Sequence, residues 1–180
     1  MLIVVSGGPG SGKTTLAHAL AQSLGCPAVC RDELKEGLVH AGTRAGNPDE
    51  AVRAAFFDVL EVLVRAGVSV VAEAAFQDRL WRPGLTPLAE HAELRIVHCR
   101  VDPAVARARI RARLTTHPRR AAHADRALLA APPGPGNLLD DFTPPSLPVP
   151  HLHVDTTHGY RPPLADITAF ATGAGAGTGT

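Results

Sequence analysis

The sequence predicts an α/β protein: a parallel β-sheet with helices on both faces. Two observations lead there. Short apolar runs, Leu2–Val5, Pro27–Cys30, Val68–Ala72 and Leu94–Val101, and a fifth strand-like segment with its exit, His151–Thr156, alternate with helical patterns. That alternation belongs to βαβ units. The first run also leads directly into Gly7-Gly8-Pro9-Gly10-Ser11-Gly12-Lys13-Thr14. This is a G-x-x-x-x-G-K-[ST] phosphate loop between a strand and a helix.

The loop carries the strongest chemical signal in the chain. The small residues Gly8, Gly10, Ser11 and Gly12 let backbone N–H groups converge on an anion, and the following helix adds partial positive charge. Lys13 reaches the β- and γ-phosphates, the Thr14 hydroxyl suits Mg²⁺, and Thr15 continues into the helix. The ligand this implies is a nucleoside triphosphate with Mg²⁺: ATP, with GTP as the alternative. The motif says nothing about what receives the phosphate.

Further elements follow from local pattern. A helix is expected from Arg31 to about His40, with Asp32 as its N-cap. Gly42–Asn47 reads as a loop, and Pro48 opens a longer helix to about Ala66. On that helix Val52, Phe56, Val59, Leu60 and Leu63 share an apolar face. A further helix spans about 79–91. Asp102-Pro103 is an N-cap followed by proline at the first helical position, and the helix behind it carries Arg107, Arg109, Arg111 and Arg113. Residues 131–150 hold seven prolines and read as a crossing segment, not a domain boundary. A last helix is expected over 163–171. One domain, 1–171, therefore precedes a Gly/Ala/Thr tail, 172–180, expected to be disordered.

Composition narrows the setting. A length of 180 residues suits one domain with its own core. Net charge is +1, which neither demands nor excludes nucleic acid. Of 18 basic residues only Lys13 and Lys35 are lysines. Three cysteines, Cys26, Cys30 and Cys99, match no zinc spacing and read as reduced thiols. Four apolar residues running into the phosphate loop do not make a signal peptide, and no stretch is long enough to cross a membrane. A soluble cytoplasmic protein is expected, with no membrane partner, and as a monomer or a homodimer.

In a parallel sheet ligands gather at the carboxyl ends of the strands. Polar clusters stand at four such ends: residues 7–15, 31–33, 73–79 and 155–158. Within them Asp32 is a carboxylate able to take a proton, Arg31 either contacts substrate or is solvated, and Arg79 either faces an acceptor or starts a surface helix. Glu73 either holds the Mg²⁺ shell through water or pairs with Arg31 or Arg79. His123 is a candidate for the acceptor pocket. The histidines supply no third ligand for a metal site of their own.

The phosphate loop together with Cys30-Arg31-Asp32-Glu33, Asp32 lying 19 residues after Lys13, resembles the small P-loop kinases. These include chloramphenicol phosphotransferase-like enzymes, polynucleotide 5′-hydroxyl kinases and AAA-type kinases. The likeness covers about residues 1–125 and 151–171. It implies a three-layer P-loop NTPase sandwich with strand order 2-3-1-4-5 and a helical lid over about 107–127. It implies that Asp32 deprotonates an acceptor hydroxyl. The arginine-rich helix becomes the lid helix, with Arg119 and Arg120 in or just after the lid. Arg111 and Arg113 are the leading candidates for γ-phosphate contact, with stacking on the base the alternative role for one of them. Glu73 departs from the Asp that many relatives carry. The implied activity is ATP-dependent transfer to a hydroxyl of a small molecule, such as an antibiotic or nucleoside-like metabolite in self-resistance. A polynucleotide 5′-hydroxyl kinase is the alternative, although low net charge and few aromatics weigh against a nucleic-acid partner. A nucleotide-sugar-phosphorylating toxin and a regulatory ATPase are held in reserve.

Overall fold

Five parallel strands in the order β2-β3-β1-β4-β5 form the sheet of this computed structural model. They are β1 (Leu2–Gly7), β2 (Ala28–Cys30), β3 (Val70–Glu73), β4 (Leu94–Arg100) and β5 (His151–Asp155). The helices are α1 (Lys13–Leu24), α2 (Arg31–His40), α3 (Pro48–Arg65), α4 (Asp78–Ala89), α5 (Pro103–Thr116), α6 (Asp125–Ala130) and α7 (Leu164–Thr172). The structure describes residues 1–41, 47–116, 125–131, 134, 137 and 142–174.

The central strand is fully buried, and its side chains alternate between two cores. Leu2 and Val4 join Phe56, Leu60, Trp81 and Leu85 beneath α3 and α4. Ile3 and Val5 join Leu16, Leu20 and Ile167 beneath α1 and α7. This is why β1 reads as a continuous apolar run: a strand covered on both faces has no polar side. The first core is the aromatic one. Trp81 meets Phe76 edge-on at 4.8 Å between ring centroids and Phe56 at 5.6 Å. Close approach of α3 and α4 requires the absence of a side chain at Gly84, where a Cβ would stand 2.3 Å from the Phe57 ring.

Most expected elements form within one or two residues of the sequence reading. Asp102 caps α5, its Oδ1 accepting from the Ala104 N–H at 2.7 Å. Three expectations need correction. Asp32 is not an N-cap: Cys30 holds that position without a side-chain bond, and Asp32 lies in the first turn of α2. Helix α3, by contrast, has a side-chain cap: Asn47 accepts from the Asp49 N–H at 3.1 Å. The buried stripe of α3 runs Val52-Phe56-Leu60-Val64, whereas Val59 is exposed. A strict four-residue spacing follows the row of side chains that packs against the sheet. Helix α6 was not expected, and α7 extends to Thr172 before Gly173 closes it.

His98, on β4, stacks on Phe142 at 5.6 Å and meets His153 edge-on at 5.5 Å. Burial chiefly, with nearby His153 and Arg100, holds its pKa down at about 4. The unfolded chain titrates this group near 6.5 and so binds more protons between those values. Stability attributable to His98 is therefore present above about pH 6.5 and is lost as pH falls toward 4. Chemical denaturation across that range should show a flatter pH profile for His98→Leu than for the native chain. In the aromatic core, Phe56→Ala should cost about 3–5 kcal/mol, read as a lower urea midpoint with an unchanged slope.

Candidate active site

The carboxyl ends of the strands converge on one rim. Strand register sets Glu73 beside Val5 on one side and Cys30 on the other. From these ends come the phosphate loop after β1, the first turn of α2 after β2, and Glu73 at the end of β3.

Gly10 holds φ at +76°, a left-handed conformation, and a Cβ there would lie 2.7 Å from the Ala106 carbonyl oxygen. Both facts demand glycine, and together they press the loop against α5. The Ser11 N–H donates to the Gly8 carbonyl at 3.2 Å, and α1 begins at Lys13 behind Gly12. Ser11 is buried, Thr14 half-buried and Thr15 exposed.

Two contacts that sequence reasoning missed hold the loop in place. The buried Thr156 hydroxyl, just past β5, lies 2.7 Å from the Ser11 carbonyl oxygen and donates to it. The Arg109 guanidinium on α5 donates to the carbonyls of Gly10 at 3.3 Å, Thr156 at 2.7 Å and Thr157 at 3.3 Å. The polar cluster at 155–158 was visible in the sequence, but its pairing with residues about 145 positions earlier was not.

Lys13 is buried, and its ammonium stands 3.6 Å from Glu73 Oε1. Glu73 is 1% exposed, and neither carboxylate oxygen makes a well-formed hydrogen bond, although the Thr14 hydroxyl and the Cys30 thiol stand close to it. Burial pushes its carboxyl pKa up, Lys13 pulls it down, and Asp32 adds to the rise. The Thr14 hydroxyl also lowers it. A buried pair of carboxylate oxygens beside a hydroxyl is a hard oxygen donor set, and it fits the Mg²⁺ that accompanies a bound triphosphate. Thr14 would hold that ion, and Glu73 its water shell.

Lys13 and Asp32 line one cavity of about 350 Å³. Arg31, Lys35, Asp49 and Arg53 share its wall, as do Leu80, Trp81 and Leu128. The Arg31 guanidinium reaches Asp32 at 3.3 Å and Asp49 at 2.6 Å, while Lys35 reaches the same Asp49 oxygen at 2.8 Å. Lys35 and Arg31 hold the Asp49 carboxyl below its ordinary range. Arg113 closes another side of the cavity through a two-point bond to the buried Asp125, at 2.6 and 2.9 Å.

Other expected site residues fall elsewhere. Arg79 is exposed on α4 and does not line this cavity. Arg111 is exposed on α5 and does not line it either. Glu73 pairs with Lys13, not with Arg31 or Arg79. His123, Arg119 and Arg120 lie outside the described residues, as do residues 117–124 of the expected lid and 175–180 of the tail.

This sheet order, with its phosphate loop, defines a P-loop protein of kinase-like fold. A family model for the AAA domain matches residues 2–131, and the chain belongs to that family. Among solved structures, a "putative kinase" from Chloroflexus aurantiacus is 25% identical, with a TM-score of 0.77 and 96% of each chain covered. Kti12 from Chaetomium thermophilum, solved in complex with ADP-AlF3, has a TM-score of 0.66 at 19% identity, covering 97% of this chain and 98% of that one. A gluconokinase from Sinorhizobium meliloti has a TM-score of 0.52 at 24% identity, covering 94% and 87%. No curated protein matches the chain. No helix among the described residues is long and apolar enough to cross a membrane.

Arg109→Ala should loosen the phosphate loop by removing donors to three carbonyls. Nucleotide affinity is expected to fall about tenfold, equivalent to ~1.4 kcal/mol, in a titration with a fluorescent ATP analogue.

Proposed function

We propose that the protein is an ATP- and Mg²⁺-dependent phosphotransferase that moves the γ-phosphate to a hydroxyl of a small molecule. The observation that carries this reading is the shared cavity: Asp32 and Lys13 line the same space of about 350 Å³. The phosphate loop and Lys13 hold the polyphosphate. The metal, when bound, neutralises charge on the phosphate oxygens. Asp32 accepts the proton of the attacking hydroxyl, whose oxygen forms the new bond to the γ-phosphorus as the bond to ADP breaks. Arg31 steers the Asp32 carboxylate. Arg113, fixed by Asp125, is placed to stabilise charge on the transferred group; Arg111 and Arg79 would have to approach from outside the cavity wall.

The acceptor side combines an apolar face, Leu80, Trp81 and Leu128, with a polar rim. That combination suits a nucleoside-like or antibiotic-like molecule, and a self-resistance role would follow from it. The cations Arg31, Lys35 and Arg53 on the same wall favour a second reading, in which the hydroxyl belongs to a polynucleotide 5′ end. GTP is an alternative donor under either reading, and the setting is cytoplasmic.

An acceptor screen with ATP, reading product mass for one added phosphate, distinguishes these. Transfer to small neutral alcohols supports the first reading, and transfer confined to 5′-hydroxyl oligonucleotides the second. Asp32→Asn should reduce transfer by about 10²–10⁴-fold while ATP still binds. Full activity in that variant would end the assignment of Asp32 as the base.

A further inference from the structure

Outside the cavity, α1 and the start of α2 bring three unlike ligand atoms together. His18 Nε2 lies 2.7 Å from Glu33 Oε1 and 3.7 Å from Cys30 Sγ. All three ligand atoms fall within 4.8 Å of one another. Among the described residues this is the only such group of three. Cys30 is buried, whereas His18 and Glu33 are half-exposed, so the group opens to solvent on one side.

We propose that His18, Cys30 and Glu33 form a binding site for a borderline divalent metal, Zn²⁺ by its donor set, with water as the fourth ligand. One sulfur, one nitrogen and one oxygen suit Zn²⁺ and disfavour Mg²⁺, which takes oxygen ligands in an octahedron. The spacing is also right. Zinc bonds of about 2.3 Å to sulfur and 2.05 Å to nitrogen, at a tetrahedral angle, place the two atoms ~3.6 Å apart. The observed separation is 3.7 Å. The His18–Glu33 hydrogen bond must open from 2.7 Å to ~3.4 Å for the same geometry, a rotation that two half-exposed side chains can make. On binding, the dication replaces the Cys30 thiol proton, which leaves to solvent.

Such an ion would tie α1, the helix behind the phosphate loop, to both residues that flank Arg31 and Asp32. It would pin the first turn of α2 where Asp32 projects into the cavity.

The test uses the full chain, stripped with a chelator and free of nucleotide, titrated with Co²⁺ as a spectroscopic substitute. The expected result is a set of intense tetrahedral visible bands with a thiolate-to-cobalt charge-transfer band, saturating at one equivalent. Zn²⁺ should displace the cobalt and raise Tm. Cys30→Ser should remove the charge-transfer band, and Cys26→Ser should keep it. His18→Ala and Glu33→Gln, at half-exposed positions that leave the fold intact, should each weaken affinity on the order of tenfold or more. A spectrum that stays that of hydrated Co²⁺ overturns the site, leaving a hydrogen-bonded His–Glu pair beside a buried thiol. So does a charge-transfer band that survives Cys30→Ser, or unchanged affinity in either His18→Ala or Glu33→Gln.

Discussion

The Lys13–Glu73 pair is the constraint around which the rim of the sheet is organised. A carboxylate that is 1% exposed, with neither oxygen in a well-formed hydrogen bond, is costly on its own. An ammonium 3.6 Å away offsets part of that cost. Neither charge could be kept there without the other. The register Val5↔Glu73 and Cys30↔Glu73 brings the carboxylate to the mouth of the phosphate loop. The buried β1 and β3 hold it rigidly, since a strand covered on both faces has little freedom to shift. The pair therefore leaves a concentrated, poorly solvated charge arrangement at the mouth of the phosphate loop.

Around that centre the loop is held from outside its own segment. Gly10 can lie against Ala106 only because it lacks a side chain, and Arg109 and Thr156 then capture the loop's outward carbonyls. On α5, Arg109 therefore serves the loop, while Arg113, one turn further, lines the cavity. Helical periodicity places residues four apart on one face, yet their partners differ because α5 runs past the loop toward Asp125.

The cavity wall formed by α2 and α3 is built differently. Arg31, Lys35 and Asp49 tie the first turns of α2 and α3 together, and the aromatic core behind them positions Trp81. Asp32 thus stands on a helix braced by charge on one side and by packed rings on the other. A group placed on such a brace keeps its orientation at little entropic cost when substrate binds.

Local chemistry by itself determined the phosphate loop, the parallel α/β plan and the strand-end position of Asp32 and Glu73, because glycine spacing, apolar runs and helix caps act over a few residues. The roles of Arg109, Thr156 and Asp125 depended on the tertiary structure, as did the choice of Lys13 as partner for Glu73. Each of those contacts joins segments far apart in the chain, and a short-range pattern cannot say which of many arginines or threonines meets which carbonyl. The same limit accounts for Val59 and for the cap of α2. Both read correctly as helical, but which face is buried and which residue ends the strand were decided by how the helices pack on the sheet.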